Sequence, residues 1–369
     1  MVETGKTPQE GTAGAEGGQA AGSAAAPPPK PPPKKETGIP APSFEAASSP
    51  HLHSGASVGS IMWTVFFALV PAAAVGVYFF GLPGLTVLAG SILGCLAVEA
   101  AYQKILGQDI TVSDGSAALT GLLLGMNMPP SSPLWMIVTG SVVAVVIAKQ
   151  VFGGLGYNPF NPALVARVFL LISFPVHMTT WTSPAPFFPL GVDALSSATP
   201  LGEVKMELMT KGTALTAENF DALGALIGNI PGSAGETSAL ALALGGLFLM
   251  YRGIITWHIP LSFIGSVAAV SWICNAINPA VYPGPTFQLL TGGLVIGAFF
   301  MATDYVTSPV SPRGMLVFGT GCGLLTIIIR YWGGYPEGVS FAILLMNMCV
   351  PLIDMYTQPR IFGEVKNHA

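Results

Sequence analysis

The stretch IMWTVFFALVPAAAVGVYFFGLPGLTVLAGSILGCLAVEAAYQKI, residues 61–105, decides the fold. Only Glu99 and Lys104 are charged in it. A helix needs about 20 apolar residues to cross a bilayer, so the stretch is long enough for two crossings. It predicts two membrane helices, at residues 61–81 and 85–105.

The rest of the chain has the same character. Of its 369 residues, 51% are hydrophobic and 9% are charged, against roughly 25% charged in ordinary soluble domains. The mean hydropathy is +0.63. This composition excludes a cytosolic enzyme and a disulfide-stapled secreted domain. The net charge of −4 provides no basic field for nucleic acid. We therefore expect an all-α polytopic membrane protein in contact with lipid.

Eight further apolar segments bring the expected number of transmembrane helices to about ten. They cover residues 117–128, 134–152, 163–176, 237–251, 259–277, 287–302, 315–331 and 339–355. Segment 117–128 is short, and positive charge favours counting it as a crossing. If this segment crosses the membrane and the N-terminus is in the cytoplasm, seven of the eight lysines and arginines near span ends lie on the cytoplasmic side. These eight residues are Lys104, Lys149, Arg167, Arg252, Arg313, Arg330, Arg360 and Lys366.

The chain divides into three regions. Residues 1–54 are rich in Ala, Gly and Pro and predict a disordered cytoplasmic tail. Residues 55–358 form the transmembrane domain, whose long loop at 177–223 lies on the outer side in the ten-crossing topology. Residues 359–369 form a second cytoplasmic tail.

Proline interrupts several spans, which predicts broken helices. Asn-Pro-Phe-Asn-Pro-Ala at 158–163 is echoed by Ser-Pro-Val-Ser-Pro-Arg at 308–313, and Asp-Gly-Ser-Ala-Ala-Leu at 114–119 by Glu-Thr-Ser-Ala-Leu at 236–240. Such echoes favour an inverted repeat, although shared helix-capping patterns would also produce them.

Acidic residues beside membrane segments are candidates for an ion path, because they are costly there. Glu99 lies inside a span and has no evident capping role. Asp114 and Glu236 each precede a helical run, where either capping or ion handling would account for them. Asp304, Glu337 and Asp354 are further acids of this kind.

Asn158 and Asn161 flank a proline-broken segment. Two carboxamides there could bind a polar ring edge, or they could cap the following helix. Cys95, Cys274, Cys322 and Cys349 form no paired motif, so we expect no metal site within this chain.

Several motifs taken together resemble the D subunit of the Rnf ion-translocating electron transport complex. They are SPHLHSG at 49–55, GGLGYNPFNPALVARVF at 153–169, D-x-x-S-x-A-T at 193–199, GETSALALALGG at 235–246 and RYWGGYPEGVSFAILLMN at 330–347. The resemblance covers residues 49–358. The B subunit of the sodium-pumping NADH:quinone reductase is a more distant match.

The resemblance implies that Thr199 carries FMN through a phosphoester bond. Asp193, Ser196 and Ala198 complete the pattern that the flavin transferase recognises, and Ser197 stands where glycine is common. From the more distant relative, it also implies that Asn158 and Asn161 bind a second, non-covalent riboflavin.

The implied function is electron transfer between ferredoxin and NAD coupled to ion translocation across the bacterial inner membrane. The implied partners are other Rnf subunits that hold iron–sulfur and flavin carriers. A subunit of the quinone reductase and a non-redox channel or transporter of similar architecture are the alternatives.

Overall fold

The computed structural model describes residues 57–184, 196–214, 217 and 220–358. Both predicted tails and Asp193 lie outside these residues. Within the described part the protein is predominantly helical with almost no strand, which confirms the all-α polytopic membrane class. The one sheet described pairs two antiparallel strands of two residues each.

Thirteen α-helices are described here, and several are followed by short turns of other helix types. Their bounds are α1 Val58–Ile105, α2 Ser116–Met126, α3 Leu134–Val142, α4 Pro162–Ser173, α5 Pro175–Thr179, α6 Pro200–Lys211, α7 Ala222–Ile227, α8 Ala239–Tyr251, α9 His258–Ile277, α10 Pro285–Leu290, α11 Leu294–Ile296, α12 Pro312–Trp332 and α13 Val339–Thr357. Strands β1 (Trp181–Thr182) and β2 (Ser196–Ser197) lie between α5 and α6.

Helix α1 contains both of the first two predicted spans. It is 48 residues long, and Gly81 interrupts it with φ 63° and ψ −142°. This conformation is accessible to glycine because it lacks a Cβ atom. The two parts, 58–80 and 82–105, are each long enough to cross a bilayer.

Five helical segments of the described chain are long and apolar enough to cross a membrane. They are Val58–Ile105, Leu134–Phe152, His258–Ile277, Pro312–Trp332 and Val339–Thr357. Three shorter apolar helices, Ser116–Met126, Pro162–Ser173 and Ala239–Tyr251, cover other predicted spans. Each of the ten predicted segments therefore contains helix, while the number of crossings stays a prediction.

The segment predicted at 287–302 is a broken helix. Its parts are α10, α11 and a π-helical turn at Gly297–Met301, and Gly292 lies at the break with φ 67°. Another π-helical turn, Val143–Ile147, follows α3. The next α-helix after each π-helical turn has Pro at its first position, and its N-cap is Asn161 for α4 and Ser311 for α12. The two segments with this shared structure are the similar sequences at 158–163 and 308–313. The inverted repeat stays a prediction.

Glycine lets the long helices approach closely. Gly319 and Gly323 of α12 lie against Ser262 and Ser266 of α9, and a Cβ atom at either glycine would collide with the serine hydroxyl. Small residues spaced four apart are a common contact between membrane helices. The packed helices bury one large apolar core, to which α1, α2, α4, α9 and α12 contribute.

The expected outer loop contains structure of its own. Its described part holds the end of α5, both strands, α6 and the start of α7. Leu201 and Val204 of α6 pack with Phe287 of the broken helix in a second, smaller apolar cluster. Thr199, which precedes α6, is thereby fixed against the membrane helices.

Candidate functional site

A cavity lies between α1, α2, α4, α8 and the π-helical turn Gly297–Met301. The space between its protein atoms is about 780 Å³, part of it open to solvent, and about 90 Å³ of it admits the centre of a water molecule. An apolar cavity with a few convergent polar groups is typical of a cofactor site. Here the polar walls come from Ser116, Lys149, Asn158, Asn161 and Asp304, and the aromatic surface from Phe299 and Phe300.

The two predicted asparagines both line this cavity, but their hydrogen bonds differ. The Oδ1 atom of Asn161 accepts from the backbone N–H groups of Ala163 and Leu164, at 3.1 and 3.3 Å. Its Nδ2 donates to Met301 O at 3.3 Å. The capping interpretation of Asn161 is therefore confirmed.

Asn158 retains more capacity for a ligand. Its Nδ2 atom donates to Phe160 O at 3.0 Å. Its Oδ1 atom accepts no hydrogen bond from the described residues, and the side chain is buried at the cavity wall. Since a carboxamide offers two donors and one accepting oxygen, Asn158 has one N–H and its oxygen left for an occupant.

Glu99 is buried, as expected for a residue inside a span, but it is paired. Lys149 Nζ lies 2.8 Å from Glu99 Oε1, and both side chains are at most 2% exposed. Gln150 Nε2 also donates to Glu99 Oε1, at 2.8 Å. Glu99 Oε2 has no partner among the described residues. Of the two paired residues, Lys149 lines the cavity.

Asp114 belongs to the same network. Its Oδ1 accepts from the backbone N and the hydroxyl of Ser116, at 2.8 and 2.7 Å, so it caps the start of α2. Lys149 Nζ donates to the same hydroxyl oxygen at 2.7 Å. The structure thus joins two of the three predicted ion-path residues, Asp114 and Glu99, through Ser116 and Lys149.

Glu236, the third predicted ion-path residue, belongs to a separate cluster. Ser238, not Glu236, is the N-cap of α8. Arg167 Nη2 lies 3.5 Å from Glu236 Oε1 and also pairs with Glu337 Oε2. Arg167 Nη1 donates to Asn127 Oδ1 at 2.8 Å. Of the two interpretations of Glu236, capping is therefore wrong, because its carboxylate pairs with a buried arginine.

Arg330 secures the broken helix beside α6. Its Nη1 donates to Gln288 O and Oε1 at 2.6 and 2.8 Å, and its Nη2 to Thr291 O at 2.9 Å. The accepting oxygen atoms belong to Gln288 and Thr291, which precede the break at Gly292. Backbone carbonyls at the end of a helix lack helical partners. Lys205 of α6 donates in turn to Arg330 O at 3.0 Å.

Thr199 is the N-cap of α6. Its Oγ1 accepts from Gly202 N at 3.1 Å, and Pro200 occupies the first helical position. The side chain is 4% exposed, whereas a residue in a long outer loop is expected to be exposed, so this expectation is wrong for Thr199. The exposed residue is its neighbour Ala198, and the side chain of Ser196 lies outside the described part.

The buried cations Lys149, Arg167 and Arg330 were expected as topology signals at span ends. All three are bonded inside the protein, so they carry no information on sidedness. Of the eight cations, Arg330 was the one expected on the outer side. Without these three, five cations remain as topology signals, and all five lie on the cytoplasmic side of the predicted ten-crossing topology. A cation within an apolar segment is itself a signal of a buried polar partner, and this signal could have found the three residues.

The described fold and site define a polytopic helical membrane protein with a largely apolar cavity and buried ion pairs. The sequence profile of the NQR2, RnfD, RnfE family matches residues 45–363. The chain belongs to this family.

Relatives of high similarity are D subunits of ion-translocating complexes. The chain is 46% identical over 325 residues to the D subunit of the proton-translocating ferredoxin:NAD(+) oxidoreductase complex of Clostridium ljungdahlii, covering 87% of this chain and 96% of the relative. It is 46% identical to the D subunit of the Na(+)-translocating ferredoxin:NAD(+) oxidoreductase complex of Acetobacterium woodii, covering 87% and 95%. It is 44% identical to the D subunit of the ion-translocating oxidoreductase complex of Stutzerimonas stutzeri, covering 84% and 93%.

Proposed function

We propose that this chain is the flavin-carrying D subunit of an Rnf-type complex, which couples electron transfer between ferredoxin and NAD to ion translocation. It would span the bacterial inner membrane, with both termini in the cytoplasm and Thr199 on the outer side. The relatives' names favour this over a quinone reductase component. They name a proton in one relative and Na⁺ in the other at equal identity, so the proposal leaves the ion open.

The position of Thr199 carries the proposal of covalent FMN. The first turn of the 12-residue helix α6 presents backbone N–H groups and the positive end of the helix dipole, which together favour a phosphate. Gly202 leaves space beside the hydroxyl, because a Cβ atom there would lie 3.2 Å from Thr199 Oγ1. A phosphoester on this oxygen would thus be stabilised by the helix. Attachment by a flavin transferase is part of the proposal.

The cavity carries the proposal of a second, non-covalent riboflavin. Asn158 would bind the polar edge of the ring through its free oxygen and N–H, and Asn161 would supply its remaining N–H. Phe299 and Phe300 would contact the ring. A flavin takes up one or two electrons, and the protein orients it and tunes its potential. Other Rnf subunits would supply the iron–sulfur carriers.

In-gel flavin fluorescence of the denatured protein, with mass spectrometry of the attachment peptide, tests the covalent site. Thr199→Asn should abolish the fluorescence, because asparagine keeps the helix cap but lacks a hydroxyl. Thr199→Ser is the matched control, which keeps both the helix cap and the hydroxyl group, and its band should remain fluorescent. A fluorescent Thr199→Asn band would place the attachment elsewhere. A non-fluorescent wild-type band would refute covalent flavin and favour the channel or transporter alternative.

A further inference from the structure

Among the described residues, Lys149 is the one cation in the wall of the cavity. It follows the π-helical turn Val143–Ile147, where the widened backbone interrupts the regular helix. Its side chain is 2% exposed, and its Nζ atom reaches both Glu99 and Ser116. Holding an ammonium group in an apolar interior is costly. The described structure places this costly group beside space for a ligand.

The bonding of Lys149 is incomplete. An ammonium group has three N–H donors. One donates to Glu99 Oε1 at 2.8 Å and one to Ser116 Oγ at 2.7 Å. The third finds no acceptor among the described residues. Buried donors rarely lack a partner, because an unpaired donor loses its bonds to water and gains nothing in return.

The partners of Lys149 are fixed in turn. Ser116 donates to Asp114 Oδ1, and Gln150 donates to the same Glu99 oxygen that Lys149 binds. The ammonium group is therefore held at the cavity wall from two sides, by α1 and α2. Such an arrangement keeps a charge in place before a ligand arrives.

We propose that Lys149 is a cofactor-binding residue, whose free N–H donates to the polar edge of the flavin ring and whose charge, with Glu99 as counterion, raises the ring's affinity for an electron. The inference deepens the proposed function and rests on it, because it requires a flavin in the cavity. Charge close to the ring is one of the features by which a protein tunes a flavin.

Two single substitutions test the role of the charge by the direction of their effects. In the purified complex, Lys149→Met removes the cation and should lower the electron affinity of the non-covalent flavin. Glu99→Gln leaves the cation without its counterion and should raise the electron affinity of the flavin. Each change should be about tenfold in the equilibrium constant for one electron, which corresponds to about 59 mV in midpoint potential.

A paired substitution covers the case in which an unpaired charge disturbs folding. Lys149→Met combined with Glu99→Gln leaves no charge alone and should fold. It should still weaken riboflavin binding by about tenfold or more, because the donor is lost. Lys205→Met, which removes a lysine away from the cavity, is the matched control and should keep the wild-type riboflavin content.

The outcomes separate the inference from the function on which it rests. Shifts of opposite sign, together with riboflavin loss in the paired variant, support the inference. Wild-type potentials and riboflavin content in all variants, or shifts of the same sign, overturn it and leave the ion pair as a structural feature. A wild-type complex with no extractable riboflavin overturns the inference together with the proposed second flavin.

Discussion

The Arg167 cluster and the Lys149 cluster both place a cation against buried carboxylate groups, yet their surroundings differ. Arg167 binds two carboxylates and an amide, and Gly293 packs against its guanidinium. Lys149 binds one carboxylate and one hydroxyl, and it borders a cavity. A planar guanidinium with several fixed bonds holds elements together, whereas an ammonium group with a free donor can also bind a ligand.

The consequence is a division of roles. The Arg167 cluster joins α4 to the loop before α8 and, through Glu337, to the segment between α12 and α13. Loss of this cluster should therefore affect folding. The Lys149 cluster should affect the occupant of the cavity more than the fold. Four predictions, each with its own variants, test this comparison.

The largest effect is expected for Arg167→Met. It leaves Glu236 and Glu337 buried without their cation, and breaking a buried ion pair in this way costs about 3–5 kcal/mol. The apparent unfolding temperature of the detergent-solubilised complex should fall steeply, with loss of folded protein. The paired variant Lys149→Met, Glu99→Gln removes both charges of the other cluster and should cost much less. Equal losses in the two variants would refute the division of roles.

The second largest effect is expected for Gly292→Ala, at the break in the helix. Gly292 has φ 67°, and a Cβ atom there would lie 2.8 Å from Leu201 Cδ1 and 2.9 Å from Arg330 Nη2. The strained backbone costs about 1–2 kcal/mol, and overpacking adds about 1–3 kcal/mol.

Gly107→Ala is the matched control for this prediction. Gly107 has φ 66° and open space around its Cα atom, so it carries the same backbone strain without the contact. The difference in unfolding temperature between the two variants measures how tightly α6 and Arg330 pack at the break. If the two variants unfold together, α6 does not depend on this contact.

The third effect separates the two asparagines of the cavity. Asn161→Ala removes the cap of α4 and should cost about 1 kcal/mol of stability. Asn158→Ala removes one hydrogen bond and no cap, so it should cost less, about 0.5 kcal/mol, while lowering extractable riboflavin. Both unfolding temperature and riboflavin content are measured on each variant. A larger riboflavin loss in Asn161→Ala than in Asn158→Ala would reverse the proposed roles.

The sequence predicted the class of fold and the position of its helices, because long apolar segments specify them locally. It also placed Glu99 inside a span and located the break near Asn158, but it gave 287–302 as one apolar segment and missed the break at Gly292. It did not predict that Lys149 pairs with Glu99, or Arg167 with Glu236, because these contacts join residues 50 and 69 positions apart. The burial of Thr199 was missed for a similar reason, since it depends on α6 packing against the broken helix.

The smallest effect is expected at Lys205, which links α6 to the end of α12 outside the spanning segments. Its Nζ donates to Arg330 O and Tyr331 O, at 3.0 and 3.4 Å. Partial burial lowers the pKa of Lys205. Between this lowered pKa and the ordinary pKa of lysine, the unfolded chain binds more protons than the folded one, so stability should rise with pH through that interval. In Lys205→Met this small rise should disappear, as measured by unfolding temperature against pH. If the variant retains the full rise, another group produces it and the Lys205 ammonium group is well solvated.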